Sequence, residues 1–249
     1  MVCALGMSRT GTSLTMRVLN LLGVYLGPEE GLLGARPANP EGFWEHYRLM
    51  RLNEGILRRM GGSWREPPSL PDGWETAPEL AEERALGEAL LKETFEGHEL
   101  AGWKDPRNCL TLPFWQQLIP EMRYVICLRN PIDVAASLDR RDGIPAATAF
   151  DLWLTYVASA LAHTAGRPRI FVSYESFFDD WALPVERLAR FVGREPRADP
   201  IREAINDRLW HHRTSPEEVL ADARLPSDVK SLYLLTGRLH DAPAEPRPA

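Results

Sequence analysis

Only three cysteines stand among 249 residues, at positions 3, 109 and 127, and no two of them have the close spacing of a zinc or redox pair. Neither a disulfide framework nor a cysteine-based metal site is therefore expected. Cys3 and Cys127, embedded in the apolar runs VCAL and VICL, read as buried small hydrophobes. Nowhere does the chain approach 18 consecutive apolar residues, and no basic stretch leads into an apolar segment near its start. Neither a membrane span nor a secretory signal is expected, and the expected location is cytoplasmic. Excess positive charge is missing too: 29 Lys and Arg stand against 35 Asp and Glu, for a net charge of -6. Broad binding to nucleic acid or to an anionic membrane is not expected on that balance, whereas a focal basic pocket for a small anion remains compatible with it.

What is present suits one folded unit. Hydrophobic residues make up 44% of the chain and charged residues 26%, enough for a sizeable core. A single domain is expected over residues 1–243, with the proline-rich end, 244–249, as a flexible tail. VCAL at 2–5 turns at Gly6 into a glycine-bearing loop, after which Leu14, Val18, Leu21 and Leu22 recur at helical spacing. Strand, loop and helix in that order point to an α/β fold with a central, mostly parallel sheet flanked by helices. Ligand chemistry is then expected at the carboxyl ends of the strands. ELAGWKDPRN at 99–108, RYVICLRNP at 123–131 and PRIFVSYE at 168–175 each pass from apolar to polar residues, so they deliver polar side chains to the same edge as Gly6 if they are parallel.

Between these runs, FWEHYRLMRLNEGILRRM reads as a helix with Leu49, Leu52, Ile56, Leu57 and Met60 on one face. Residues 79–95 read as another, with Leu80, Ala81, Ala85, Leu86, Ala89 and Leu90 as core candidates. Further helices are expected from Pro131, between Phe150 and Leu161, and up to Gly193. Ser215 to Glu218 has the spacing of a capping box, and Ser227 stands where it would cap a last helix. The Gly-, Pro- and Trp-rich stretch 61–78 reads either as a lid or acceptor pocket or as a surface excursion. No feature specifies an oligomeric state.

The loop GMSRTGTS is the feature richest in chemistry. Gly6 and Gly11 permit tight curvature, so that successive amides and the start of the next helix can converge on an oxyanion. Thr10, Thr12 and Ser13 add hydroxyls, although a plain helix-starting turn capped by Thr10 or Thr12 is the blander reading. Thr12 stands where a nucleotide-hydrolysing loop has its lysine, and Arg9 sits inside the loop. The missing lysine disfavours an ordinary Mg-ATP site, even though Asp105, Asp133 and Glu175 are available as magnesium ligands for a small-molecule kinase.

Taken in order, GMSRTGTSLTMRVLNLLGV, NPEGFWEH, GWKDPR, YVICLRNPIDVAASLDRRDG and FVSYESFFDDW resemble the bacterial branch of the sulfotransferases that use 3'-phosphoadenosine 5'-phosphosulfate (PAPS), over about residues 2–193. The resemblance implies a phosphate-loop α/β fold that transfers a sulfuryl group to a hydroxyl, or less readily an amine, and releases 3'-phosphoadenosine 5'-phosphate (PAP), with no metal required. It places Arg9 against the 5'-phosphosulfate, supported by the loop around Gly11 and by Thr10, Thr12 and Ser13; Thr10 stands where serine is more usual. Arg129 and Ser137 would bind the 3'-phosphate, the planar guanidinium suiting an oxyanion better than a flexible ammonium does. Tyr174 would contact the nucleotide or pack at the sheet edge.

Lys104 is the candidate for charge and proton supply to the leaving group, because an arginine such as Arg9 holds its proton too firmly to be a good donor. Its blander reading is a salt bridge to Asp105 or another acid. In FWEH both Glu45 and His46 have the chemistry of a base for the acceptor, and the resemblance favours Glu45. Trp44, Trp64 and Trp74 are candidates for the wall of a small-molecule or saccharide acceptor site. Arg208, His211, His212 and Arg213 in NDRLWHHR are candidates for closing over the nucleotide. A Mg-ATP-dependent kinase and a noncatalytic nucleotide-binding protein are the alternatives.

Overall fold

The computed structural model describes residues 1–35, 39, 42–205 and 214–240. The tail and NDRLWHHR lie outside them. In chain order the elements are β1 (Val2–Leu5), α1 (Thr12–Leu21), α2 (Tyr47–Arg59), α3 (Ala81–Phe95), β2 (Gly102–Lys104), α4 (Asn108–Leu118), β3 (Arg123–Leu128), α5 (Pro131–Asp142), α6 (Ala146–His163), β4 (Arg169–Ser173), α7 (Ser176–Asp179), α8 (Ala182–Val192), α9 (Ala198–Ala204), α10 (Pro216–Ala221) and α11 (Ser227–His240).

The four strands form one sheet in the order β2-β1-β3-β4, and every neighbouring pair is parallel. Parallel pairing brings all four carboxyl ends to one edge, as the apolar-to-polar passage of each run implied. Successive side chains alternate between two buried faces. Cys3, Leu5, Tyr124, Ile126, Leu128 and Phe171 pack with α2 to α6, whereas Val2, Ala4, Val125, Cys127, Ile170 and Val172 pack with α1, α8 and α9. All three cysteines are buried thiols without a disulfide, and burial pushes Cys109 and Cys127 up to about 12, away from reactivity. From β1 the chain passes to β2 on one side and then to β3 on the other. The loop after β1 therefore lies at the point where strand order reverses, the usual place for a ligand in such a sheet.

Two helices differ from expectation. On α3 the buried stripe runs through Glu83, Gly87, Leu90, Thr94 and Phe95, while Ala81, Ala85, Leu86 and Ala89 are exposed. Gly87 is the reason: a methyl there would come within 2.8 Å of Leu118, so α3 packs closely on its glycine rather than on its alanines. Helix α4 was not among the expected helices, and Pro113 lies inside it. Proline removes the amide that would bond the Cys109 carbonyl, and His163 Nδ1 takes that carbonyl at 3.1 Å. A carbonyl only accepts, so Nδ1 of His163 carries the proton.

Trp74, an acceptor-wall candidate, belongs to the main core, and Trp64 packs against it while its carbonyl accepts from the Tyr156 hydroxyl at 2.8 Å. The 61–78 segment is thus pinned to the body of the fold. Among the described residues no single helix is long and apolar enough to cross a membrane; α5 and α6 pass such a test only together, and they are bent by 119°.

Candidate functional site

The loop between β1 and α1 owes its shape to three residues. Gly6 has φ 152°, and a methyl on it would meet Thr10 Oγ1 at 2.5 Å and the Cys127 carbonyl at 2.8 Å. The Gly6 amide donates to Cys109 Sγ at 3.2 Å, which ties the loop to α4. Thr10, fully buried, donates its hydroxyl proton to the Met7 carbonyl at 2.7 Å, so it acts within the loop. Gly11, the residue before α1, has φ 86°, and a methyl on it would run into the ring of Tyr174. No side chain caps α1 and no acid sits in its first turn, which leaves its positive end facing the strand edge.

These constraints make a contrast testable. Gly11→Ala is expected to destabilise the fold by at least about 1–2 kcal/mol through its left-handed backbone alone. Gly55→Ala, inside α2 where a methyl meets nothing within 4 Å, is expected to stabilise it by about 0.5–1 kcal/mol. Urea titration of the two variants measures both.

Arg9 also has positive φ, 76°, an unusual conformation for a residue with a side chain. It turns the guanidinium so that Nε donates to Ser137 Oγ on α5 at 2.8 Å. Arg129, at the end of β3, donates from Nη1 to the Arg9 carbonyl at 3.2 Å and lies 4.4 Å above the ring of Tyr174, which stands at the end of β4. The loop, Arg129, Ser137 and Tyr174 thus form one cluster. Burial and repulsion from Arg141 and Arg129 lower Arg9 to about 10, so this cluster holds cations at an electrostatic cost that a bound anion would relieve.

The second cluster joins β2, α1 and the segment before α2. Lys104 Nζ donates to Glu45 Oε1 at 2.6 Å, and the exposures of the two side chains, 3% and 10%, mark a buried ion pair. Lys104 also donates to Ser13 Oγ at 3.3 Å. Ser13 in turn donates to the Phe43 carbonyl at 3.1 Å and accepts from Asn39 Nδ2 at 3.1 Å, which fills the capacity of its hydroxyl. Lys104 thus forms a salt bridge, as its blander reading had it, and the acid it meets is Glu45 rather than Asp105.

His46 diverges from Glu45. Its ring packs where methyls on Gly27 or Gly31 would stand, and its buried Nδ1 has no hydrogen-bond partner among the described residues. Burial, with the nearby Arg48 charge, holds His46 below its ordinary 6.5, and burial does the same for His163. Above about pH 6.5 both rings are neutral folded or unfolded. As pH falls below that value the unfolded chain takes up protons first, so stability falls until the folded-state values are reached. Urea midpoints at about pH 7.5 and about pH 5 are expected to show this loss, and His46→Gln to reduce it.

The carboxylates singled out for magnesium are each engaged. Asp105 Oδ1 accepts from Arg107 Nη1 at 2.8 Å and Oδ2 from Asn53 Nδ2 at 2.9 Å; Asp133 Oδ1 accepts from the Thr214 hydroxyl at 2.7 Å; Glu175 accepts from the Asn130 amide at 3.1 Å and from Ser173. Among the described residues no three His, Cys, Asp or Glu side chains are grouped to hold a metal ion. Asn130 has a definite task that the sequence left open: its Oδ1 caps α5 by accepting from the Asp133 amide at 2.8 Å.

The family model described as the sulfotransferase family matches residues 2–199, which include the loop, both clusters and all four strands. The chain belongs to the sulfotransferase family. Two solved sulfotransferase domains share the fold over almost their whole lengths. The domain from the Synechococcus PCC 7002 olefin synthase superposes with TM-score 0.56 at 18% identity, over 95% of this chain and 94% of that one. The domain from the curacin biosynthetic pathway does so with TM-score 0.52 at 14% identity, over 95% and 97%. A search of curated protein sequences returned no significant match. In this member of the family the two clusters described above lie at the carboxyl edge of the sheet, one rich in arginine and one built on a lysine–carboxylate pair.

Proposed function

We propose that the chain transfers a sulfuryl group from PAPS to a hydroxyl of a small-molecule or saccharide acceptor, releasing PAP. The observation that carries this reading is the buried Lys104–Glu45 contact beside Ser13, within a family whose chemistry is sulfuryl transfer. The residues fit such a donor. Gly6 and Gly11 let the loop curve tightly against Thr10 and Tyr174, Gly11 gives the start of α1 no side-chain cap, and the buried Nε of Arg129 has no hydrogen-bond partner among the described residues. Arg129, Ser137 and Arg9 would hold the 3'-phosphate, and Tyr174 would fix Arg129 from beneath. The loop amides with Thr12 would hold the 5' end, to which Arg9 also contributes its charge.

PAPS supplies the sulfuryl group and a phosphate leaving group when bound. Glu45 takes the proton of the acceptor hydroxyl, which makes its oxygen a better nucleophile. Lys104 places its charge, and a proton it can give, where negative charge grows on the leaving oxygen. Positioning and fixed charge do the work, as they do in phosphoryl transfer.

Incubation with PAPS labelled in its sulfur, with a panel of phenols, alcohols and sugars, tests the reading. Label appearing in an acceptor together with PAP is the expected result. Magnesium-dependent turnover of ATP with no use of PAPS would instead establish the kinase alternative.

A further inference from the structure

Beside the Lys104–Glu45 contact lies a second set of polar links between the same two segments, and the transfer reading uses none of them. Asn53, about two turns into α2, is fully buried on a face otherwise made of Leu49, Leu52, Ile56 and Leu57. Its Nδ2 donates to Asp105 Oδ2 at 2.9 Å, and its Oδ1 accepts from Thr111 Oγ1 at 2.7 Å and Trp115 Nε1 at 2.8 Å on α4. The next residue, Glu54, accepts from Arg107 Nη2 at 2.9 Å. Arg107 donates to Asp105 Oδ1 from its backbone amide at 3.0 Å and from Nη1 at 2.8 Å.

Lys104 at the end of β2 and residues 105 and 107 of the turn after it are therefore each held by a residue of the 45–54 segment: Glu45, Asn53 and Glu54. A leucine at position 53 would continue the apolar face. A buried amide there adds little net stability over it, but it admits one arrangement of its partners.

We propose that Asn53 and Glu54 are positioning residues for the transfer chemistry: they lock the turn after β2 against α2 so that Lys104 Nζ and Glu45 Oε1 meet. The proposal rests on the reading of Lys104 and Glu45 as the charged pair of sulfuryl transfer. Neither positioning residue touches the reacting groups. They act by fixing the register between the strand that carries Lys104 and the helix whose entry carries Glu45.

Asn53→Ala strips partners from Asp105, Thr111 and Trp115 at once and is expected to fold poorly, so Glu54→Gln is the decisive variant. The Glu54 side chain is 27% exposed, and glutamine keeps its size while removing the charge facing Arg107. Arg51→Gln is the control, because Arg51 meets the other Glu54 oxygen at 3.4 Å from an exposed position. The first readout is the 15N signal of the Lys104 ammonium in donor-free protein, which reports its contact with Glu45. Glu54→Gln is expected to shift or broaden that signal, and Arg51→Gln to leave it in place.

The second readout is release of PAP from PAPS with water as acceptor. It is expected to slow about 10-fold in Glu54→Gln, with PAP affinity within about 2-fold of wild type. A folded Glu54→Gln protein with an unchanged Lys104 signal, or with a shifted signal and an unchanged rate, overturns the proposal. If the wild-type protein moves the sulfuryl group of PAPS to no acceptor, water included, the sulfotransferase reading fails on its own. The Lys104 signal then still decides the clamp: a shift supports it and an unchanged signal overturns it.

Discussion

Lys104→Met is expected to slow PAP release from PAPS by about 10²–10³-fold, the effect of removing one preorganised charge from a developing anion. The same change leaves Glu45 buried without its cation, so a loss of about 3 kcal/mol in stability should accompany it. Lys104→Arg separates the two consequences. Arginine keeps the ion pair and the charge but cannot give up a proton near neutral pH, so stability should hold within about 1 kcal/mol while the rate falls about 10²-fold. Urea titration and PAP release on the same preparations measure both quantities. Wild-type rates in Lys104→Arg would remove the proton-donor role and leave the electrostatic one; a Lys104→Met rate within a few-fold of wild type would remove both.

Glu45→Gln carries the second large effect. Glutamine retains an oxygen that accepts from Lys104, so the contact seen at 2.6 Å survives in kind, but it leaves the buried Lys104 ammonium without a counter-charge, and stability should fall by about 3 kcal/mol. What it loses is the capacity to take a proton, and turnover is expected to fall by about 10²-fold or more. PAP affinity should be preserved, because Glu45 faces Lys104 and not the Arg9, Arg129 and Ser137 cluster. His46→Gln, by contrast, is expected to alter pH-dependent stability and leave turnover near wild type, since that ring packs against Gly27 and Gly31. Steady-state rates with calorimetric PAP titration check the pair. Equal turnover in Glu45→Gln and wild type would remove Glu45 as the base without touching the reaction class.

The sheet edge was legible because each strand announces its end. Leu5 to Gly6, Leu128 to Arg129 and Ser173 to Tyr174 are passages from a buried strand to the site, and the observed parallel register aligns them. The helices were legible where one face is plainly apolar, as on α2. They were not where packing uses unexpected residues. On α3 the close approach at Gly87 outranks the alanines, and on α4 Pro113 hides a helix whose orphaned carbonyl is satisfied 54 residues away by His163.

Within the site, residue types were legible and pairings were not. Nothing local to GWKDPR says that Lys104 meets Glu45, 59 residues earlier, or that Arg9 reaches Ser137, 128 residues later. Such contacts depend on crossovers that place distant segments on neighbouring strands. Asn53 left one signal that sequence reasoning passed over: an amide among Leu49, Leu52, Ile56 and Leu57 on a helical face is a buried polar group in need of partners. Those partners, Asp105, Thr111 and Trp115, become visible only once α2 is docked on β2 and α4.

Use of PAPS by this chain requires that the arginine cluster recognise a nucleotide carrying a 3'-phosphate. Calorimetric titration with PAP, ADP and Mg-ATP tests it most directly, in the wild-type protein and in Arg129→Met. PAP is expected to bind at least about 10-fold more tightly than ADP or Mg-ATP, and Arg129→Met to abolish the preference by removing a charge-assisted contact. Equal affinity for PAP and ADP in the wild-type protein, or tighter binding of Mg-ATP, would contradict it.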